Sequence, residues 1–411
     1  MFKERMKSHH ISSSLDKSIP KEKSSKEEFL SFLNLHNSDK SSVLYIHIPF
    51  CDKICSFCNL NRKKLDNDLE EYTAYLVREL TEKASTKYVK NGIFEAIYFG
   101  GGTPTILKVH QLELIFKTIK EKFNFHIDYE WTLETTLHNL SDEKIKLFNK
   151  YGVNRLSVGI QTFSDKGRAF LNRTFTKDDV IKKIKELKDN FNGLVCCDII
   201  YNYAIQEIDE VVEDAKLVKS LNFDSSSFYS LMIHEGSELS QNEVKESSLN
   251  KDYDYYKAFY DEIISDDTWE LMELTKFVKK NRDKYKYISL RNNGHDTLAI
   301  GVGSGGTVGP YGTYNMNEKM SFFMKDLEIH QKYRLLSGLL QFHNYNFHKI
   351  KKLLSEVEFN YLLELLTKIQ DNNMGTLTEE QFSLNIDGIF WGNNISKYLC
   401  DKLIEKELGN D

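Results

Sequence analysis

Three cysteines, Cys51, Cys55 and Cys58, stand in the stretch YIHIPFCDKICSFC with the spacing C-x3-C-x2-C. Three thiolates on one short loop can converge on a single soft-metal centre. A structural zinc site takes four protein ligands, and no fourth cysteine follows nearby. On a four-iron cluster, three cysteines leave one iron without a protein ligand, and that open position can take a substrate or cofactor. A catalytic zinc with a bound water, and thiols that bind nothing, are the other readings of the spacing. Phe57 lies inside the cluster, and the β-branched run Val43–Ile48 leads into it. A loop beyond the C-terminal end of a parallel strand is where α/β folds build active sites.

Further along, FGGGTPTIL brings Gly100, Gly101 and Gly102 together after a second strand pattern. Glycines there let the backbone approach a ligand closely, although a tight connection would use them equally. Pro104 fixes the turn before the next helix. Glu134 ends a third strand in WTLETT; a carboxylate so placed can accept two hydroxyl hydrogen bonds. Gln161 follows the fourth strand in NRLSVGIQTF, and Arg173 in FLNR could clamp a carboxylate bidentately. Asp198 interrupts the apolar strand VCCDIIYN, where a lone carboxylate needs a partner or a ligand. Its neighbours Cys196 and Cys197 read as small packing residues, one or both against the wall. Cys400 has no assignable role.

Six strand patterns carry these residues: Val43–Ile48, Ala96–Phe99, Glu130–Glu134, Arg155–Gly159, Leu194–Ile200 and Ser226–Leu231. Amphipathic helical patterns alternate with them at Leu69–Val89, Val109–Lys122, Asp142–Lys150, Lys177–Asn190 and Ile208–Ser220, with N-caps at Ser141 and Thr176. Alternation of this kind implies parallel strands with right-handed crossovers. Six units are too few for a standard eight-stranded barrel. The expected fold is α/β: a partial (β/α)6 barrel or an open sheet, with a smaller, mostly α-helical C-terminal domain. The expected division is a polar tail over residues 1–40, a barrel with its extension over 41–320 and a helical domain over 321–411. A short helix near Glu27–Leu35 is expected in the tail, which reads as a mobile segment or as a lid.

The 411 residues carry a formal charge of −6, which makes no electrostatic case for nucleic acid or an anionic membrane. The apolar fraction of 40% is enough for a sizeable core and excludes global disorder. Six cysteines are too few and too uneven for a disulfide scaffold, so a reducing, cytoplasmic setting is expected. The first residues lack the apolar segment of a signal peptide, and no run is long enough for a membrane span.

The cysteine spacing with an aromatic before the last ligand resembles the radical S-adenosylmethionine (SAM) superfamily. That resemblance implies a [4Fe-4S] cluster on Cys51, Cys55 and Cys58 whose open iron holds the amino and carboxylate groups of SAM. Reduction of the cluster would cleave SAM to a 5′-deoxyadenosyl radical, and the implied fold is a partial (β/α)6 barrel. GGGTPT, VNRLSVGIQTF, LNR and DIIYN together resemble one branch, the oxygen-independent coproporphyrinogen III oxidase-like proteins, from about Val43 to Leu231. On that resemblance Tyr45, Phe57, Gly101, Gly102, Thr103, Glu134, Gln161, Arg173 and Asp198 are cofactor contacts, and the branch accommodates two SAM molecules. No catalytic acid or base is assigned.

The branch includes decarboxylases, a haem chaperone, methyltransferases and anaerobic haem-degrading enzymes. Decarboxylases carry a further cysteine two residues after the third ligand; this chain has Leu60 there. The chaperones carry HN-x-x-YW before the glycine-rich segment; this chain has Arg291-Asn292-Asn293-Gly294-His295. TKFVKKNRDKYKY, GVGSGGTVGPYGTYN and GIFWGNNI resemble the anaerobilin synthases, which implies methyl transfer to haem and ring opening without O2. The implied partners are haem or a related tetrapyrrole and a flavodoxin- or ferredoxin-type reductant, with Asn61–Lys64 as a docking patch. Haem needs aromatic and glycine-lined space with basic groups at the rim. Phe228, Tyr229, Tyr311, Tyr314 and Trp391 are available aromatics. The run Lys279, Lys280, Arg282, Lys284 and Lys286 reads as a solvated helix face or as a propionate-steering rim. His234 and His295 are candidate iron ligands.

Overall fold

The computed structural model describes residues 1–6, 18–36, 41–53, 55–58, 63–64, 69–244 and 247–409. Leu60, Asn61 and Arg62, on which two of the expectations above rest, lie outside them.

Six parallel strands form the centre: β1 (Ser42–Ile48), β2 (Phe94–Gly101), β3 (Phe125–Thr135), β4 (Arg155–Gln161), β5 (Leu194–Tyr201) and β6 (Ser225–Ser230). They coincide with the six expected from sequence. The crossover helices are α1 (Leu69–Ala84), α2 (Val109–Lys122), α3 (Asp142–Tyr151), α4 (Lys177–Asn190) and α5 (Ile208–Ser220). Ser141 and Thr176 cap α3 and α4 as their sequences suggest, accepting from the backbone N–H groups of Lys144 and Asp179. The pattern Leu69–Val89 is broken at Ser85 and Thr86, and a short helix, Lys87–Asn91, follows.

Side chains alternate across each strand with period two. Leu156, Val158 and Ile160 of β4 join Val195, Cys197 and Ile199 of β5 in the core under the helices. On β3 to β6 most of the intervening residues face the other way and are polar: Glu130 and Glu134, Arg155 and Ser157, Asp198, Ser225 and Ser227. The sheet curls, so inward groups of separate strands meet: Arg155 Nη2 lies 3.4 Å from Ser225 Oγ, across β5. A polar interior inside an apolar coat is the layout of a barrel that holds a ligand.

The sheet runs beyond the six units at both edges. After β6 a hairpin, β7 (Trp269–Glu273) and β8 (Lys276–Lys279), adds antiparallel strands. On the other side β9 (Thr297–Ile300) lies parallel to β1, followed by an antiparallel meander of β10 (Gly305–Val308), β11 (Tyr311–Asn315) and β12 (Ser321–Lys325). Glu22–Ser24 pairs with β12 and leads into the helix Lys26–Leu35. The described residues thus form a thirteen-stranded sheet.

The remaining chain is largely helical. Helix α6 (Leu249–Ile263) packs on α5, and α7 (Lys286–Asn292) against β1 and β2. Helices α8 (Glu328–Leu339), α9 (Glu356–Asp371) and α10 (Gly392–Glu407) enclose a three-stranded sheet of Asn344–Asn346, Gly375–Leu377 and Gln381–Leu384. Among the described residues no helix is long and apolar enough to cross a membrane.

Candidate active site

A cavity of about 430 Å³ opens at the C-terminal ends of the parallel strands. Cys51, Cys55, Phe57 and Cys58 form one wall; Gly101, Gly102, Thr103, Glu134, Gln161, Arg173 and Asp198 line the rest. Eleven residues named from sequence as metal or cofactor contacts therefore share one space. Tyr45 does not line it. Its ring stacks beside Tyr98 and Tyr287, one layer deeper, and its hydroxyl meets His47 Nδ1 at 3.0 Å.

The cysteine loop is tied to three neighbouring segments. Ser56 Oγ donates to the Phe170 carbonyl at 2.9 Å, and its own carbonyl accepts from Leu239 N–H at 3.0 Å. Asp52 accepts from the Asn139 amide at 3.0 Å. The glycine turn packs directly under the loop. Gly102 N–H donates to the Ile48 carbonyl, and a Cβ on Gly102 would lie 2.9 Å from Cys51 Sγ and 2.5 Å from the Phe50 carbonyl oxygen. Gly101 holds φ +116°, a left-handed conformation that favours glycine.

Two carboxylates face the thiols. Glu134 accepts from Tyr98 O–H at 2.6 Å and from Gly101 N–H at 3.1 Å. Burial pushes its carboxyl up to about 7, against these hydrogen bonds. Asp198 accepts from Ser157 O–H at 3.2 Å. Arg173 donates through Nη1 to Cys55 Sγ at 3.0 Å and through Nη2 to the Gly159 carbonyl, while its buried Nε has no partner. Gln161, with φ +73°, sits where β4 slips register against β5, and the bulge lifts its side chain towards the opening.

The donor set fits an iron–sulfur cluster: three soft thiols on one wall, a guanidinium beside one of them and no room for a side chain at Gly102. No group of three described metal-ligating side chains is already closed around a point. The thiols share a cavity but are not gathered into a ligand cage.

Several neighbours escaped the sequence reading. Tyr98, Ser157 and His47 occupy inward positions of their strands, a placement that the period-two alternation would have shown. His47 is half-buried, its buried Nε2 lacks a partner, and desolvation lowers its imidazole to about 4. Cys197 packs in the core as expected, but Cys196 faces the interior and donates to Asp283. The basic run is not assembled at the cavity. Lys280 pairs with Asp267, Arg282 with Asp224, and Lys284 and Lys286 with Asp128, while Lys279 donates to Asn222. His234 lines the cavity; His295, just ahead of β9, donates through Nδ1 to the Ser41 carbonyl at 2.7 Å.

Residues 45–218 match the model of the radical SAM superfamily. The chain carries a radical SAM domain. A radical SAM domain implies a [4Fe-4S] cluster and SAM. Over 288 residues the chain is 29% identical to an anaerobilin synthase of Escherichia coli O157:H7, covering 69% of this chain and 64% of that protein. It therefore spans just under two thirds of that relative's length. It is 28% identical over 271 residues to a heme chaperone HemW of Lactococcus lactis, covering 65% and 70%. Among solved structures, the coproporphyrinogen III oxidase HemN of Escherichia coli superposes with a TM-score of 0.79, covering 93% of this chain and 94% of that one at 20% identity. That likeness establishes the fold: a radical SAM α/β sheet with a helical C-terminal region.

Proposed function

We propose that this protein is a radical SAM enzyme acting on a tetrapyrrole, and that its reaction is anaerobic haem degradation by SAM-dependent methylation and ring opening. The observation that carries the enzyme reading is the single cavity shared by three thiols, two carboxylates, Gln161 and Arg173. The haem reading is supported by the likeness to an anaerobilin synthase over 69% of the chain. In this reading Cys51, Cys55 and Cys58 hold the cluster, which supplies the electron that cleaves SAM. Glu134 and Asp198 accept from hydroxyls of SAM, and Arg173 pairs with its carboxylate. The strand-end loops exclude water from the reacting groups. Room for a second SAM is part of the same reading.

Anaerobic incubation with haem, SAM and a flavodoxin- or ferredoxin-type reductant tests it, read by mass spectrometry and an iron chelator. A methylated linear tetrapyrrole with released iron supports haem degradation. Loss of carboxyl groups in a parallel incubation with a porphyrinogen in place of haem instead indicates a decarboxylase. The likeness to a heme chaperone, 28% identical over 65% of the chain, makes stable haem binding without turnover the competing outcome.

A further inference from the structure

A second cavity, of about 630 Å³, lies between the meander and the helices α7 and α8. One side is the face of β10–β12 that carries Gly305, Thr307, Gly312, Tyr314, Phe322 and Met324. Cross-strand register places these together: Gly305 opposite Tyr314, Thr307 opposite Gly312, Gly312 opposite Met324, and Tyr314 opposite Phe322. The other side presents Ile288, Arg291, Arg334 and Leu335. Tyr229, next to the end of β6, lines both this slot and the cysteine cavity, so the two spaces adjoin.

The two open-face glycines are not required by the fold. Neither Gly305 nor Gly312 has a positive φ, and a Cβ on either would meet nothing nearer than 3.7 Å. Gly306, between them, differs: its Cβ would strike the Thr297 carbonyl at 2.4 Å. Glycine inside a strand sacrifices stability, and where no neighbour demands it, a closely approaching ligand is a common reason. Here the two positions leave a flat floor with Tyr314, Phe322 and Met324 at its margin; Tyr314 and Phe322 are exposed.

A charge faces that floor. Arg291 is half-buried and forms no ion pair among the described residues; its guanidinium donates to Tyr287 O–H at 2.8 Å and lies over that ring. Charged groups removed from water normally have a counter-ion. Arg334 and Lys21 at the rim share one carboxylate, Asp326. Asp296 accepts from Tyr88 O–H and Gly309 N–H, both within the protein. Glu273, at the far end, is nearly buried and accepts from Thr275. The slot therefore presents a flat floor faced by Arg291, a cation with no ion pair among the described residues.

We propose that this slot is a second ligand site, for a flat, carboxylate-bearing macrocycle of the tetrapyrrole class, with the ring on the Gly305–Gly312 floor and a carboxylate on Arg291. The ligand class rests on the function proposed above; the slot and its charge do not. A ring held there reaches the radical-generating cavity past Tyr229, so the cysteine cavity remains free for SAM.

The test is anaerobic titration of the full chain with zinc protoporphyrin, read by fluorescence in the absence of SAM. Gly312→Leu fills the floor, and porphyrin affinity falls by about tenfold or more. Arg291→Gln weakens the dicarboxylate by about tenfold but leaves its dimethyl ester unchanged. Phe322→Glu, at an exposed margin position, serves if Gly312→Leu fails to fold, and it also lowers affinity. Asp198→Asn, in the other cavity, retains porphyrin binding. If the wild type binds porphyrin and Gly312→Leu and Phe322→Glu, both folded, bind it equally, the slot is refuted while the tetrapyrrole reading stands. Loss of binding in Asp198→Asn alone places the ring in the cysteine cavity and also refutes the slot. If the wild type binds no porphyrin, the tetrapyrrole reading itself falls.

Discussion

The two ends of the barrel interior use the same kinds of residue for different ends. At the floor, Arg155 is fully buried and donates through Nε and Nη2 to Asp283 at 2.8–3.1 Å, beneath the Tyr285 ring. Ser225 and Cys196 donate to the same carboxylate, and Glu130 accepts from the Lys286 and Tyr287 backbone N–H groups. Tyr98 and Tyr287 stack 3.9 Å apart and seal the layer above. The charges there are paired with one another, although Arg155 Nη1 has no hydrogen-bond partner. At the mouth the same strands present Glu134, Gln161 and Asp198, with Arg173 Nε and His47 Nε2 left unpartnered. β4 shows both behaviours within seven residues: Arg155 is locked at one end, and Gln161 is lifted by a bulge at the other. Polarity inside this barrel therefore does not by itself mark function. Polarity that opens onto the shared cavity does.

That contrast predicts opposite mutant behaviour. At the mouth, Cys55→Ala abolishes iron–sulfur reconstitution and SAM cleavage while the unfolding midpoint stays near that of the wild type, as measured by iron content, 5′-deoxyadenosine yield and thermal melting. At the floor, Asp283→Ala strands the Arg155 charge and destabilises the fold by about 3–5 kcal/mol, measured by denaturant unfolding. A reconstituted cluster in Cys55→Ala, or an unchanged midpoint in Asp283→Ala, would erase the distinction.

His47 lies between the two layers, and its effect is set by pH. Its folded-state pKa, lowered to about 4, is below the unfolded value of 6.5. Between those values the unfolded chain binds more protons, so stability rises with pH, is complete above about 6.5 and is lost as pH falls towards 4. The contribution is on the order of 2–3 kcal/mol. His47→Gln flattens this limb of the stability–pH curve, and an identical limb in the variant contradicts the assignment. The smallest effect is expected at Glu134. Glu134→Gln removes a carboxyl that burial already disfavours, so stability is held or rises slightly. SAM affinity falls by about tenfold as hydroxyl acceptance is lost, read by equilibrium binding to the reconstituted protein.

The mouth was largely legible in the sequence because its parts are local. Glu134 and Gln161 stand at the ends of strand patterns, Asp198 lies within one, and the loop that carries the cysteines follows the first. Tyr45 was placed at the cofactor through family resemblance, but it points one layer deeper, a difference of a single inward position along β1. The basic run from Lys279 to Lys286 could not be interpreted locally. Its counter-ions Asp128 and Asp224 come from distant elements and Asp267 from across the β7–β8 hairpin, and only the fold brings them together. The slot was hidden for a related reason. GVGSGGTVGPYGTYN is glycine-rich throughout, and only the register of β10 against β11 shows that Gly305 and Gly312 share a face.

The most direct measurement is the anaerobic absorbance time course of the reduced, cluster-loaded protein mixed with haem and SAM. The Soret band decays with turnover in the wild type and persists in Cys55→Ala. A band that persists in the wild type, with haem bound and SAM intact, would contradict the enzymatic reading of the mouth.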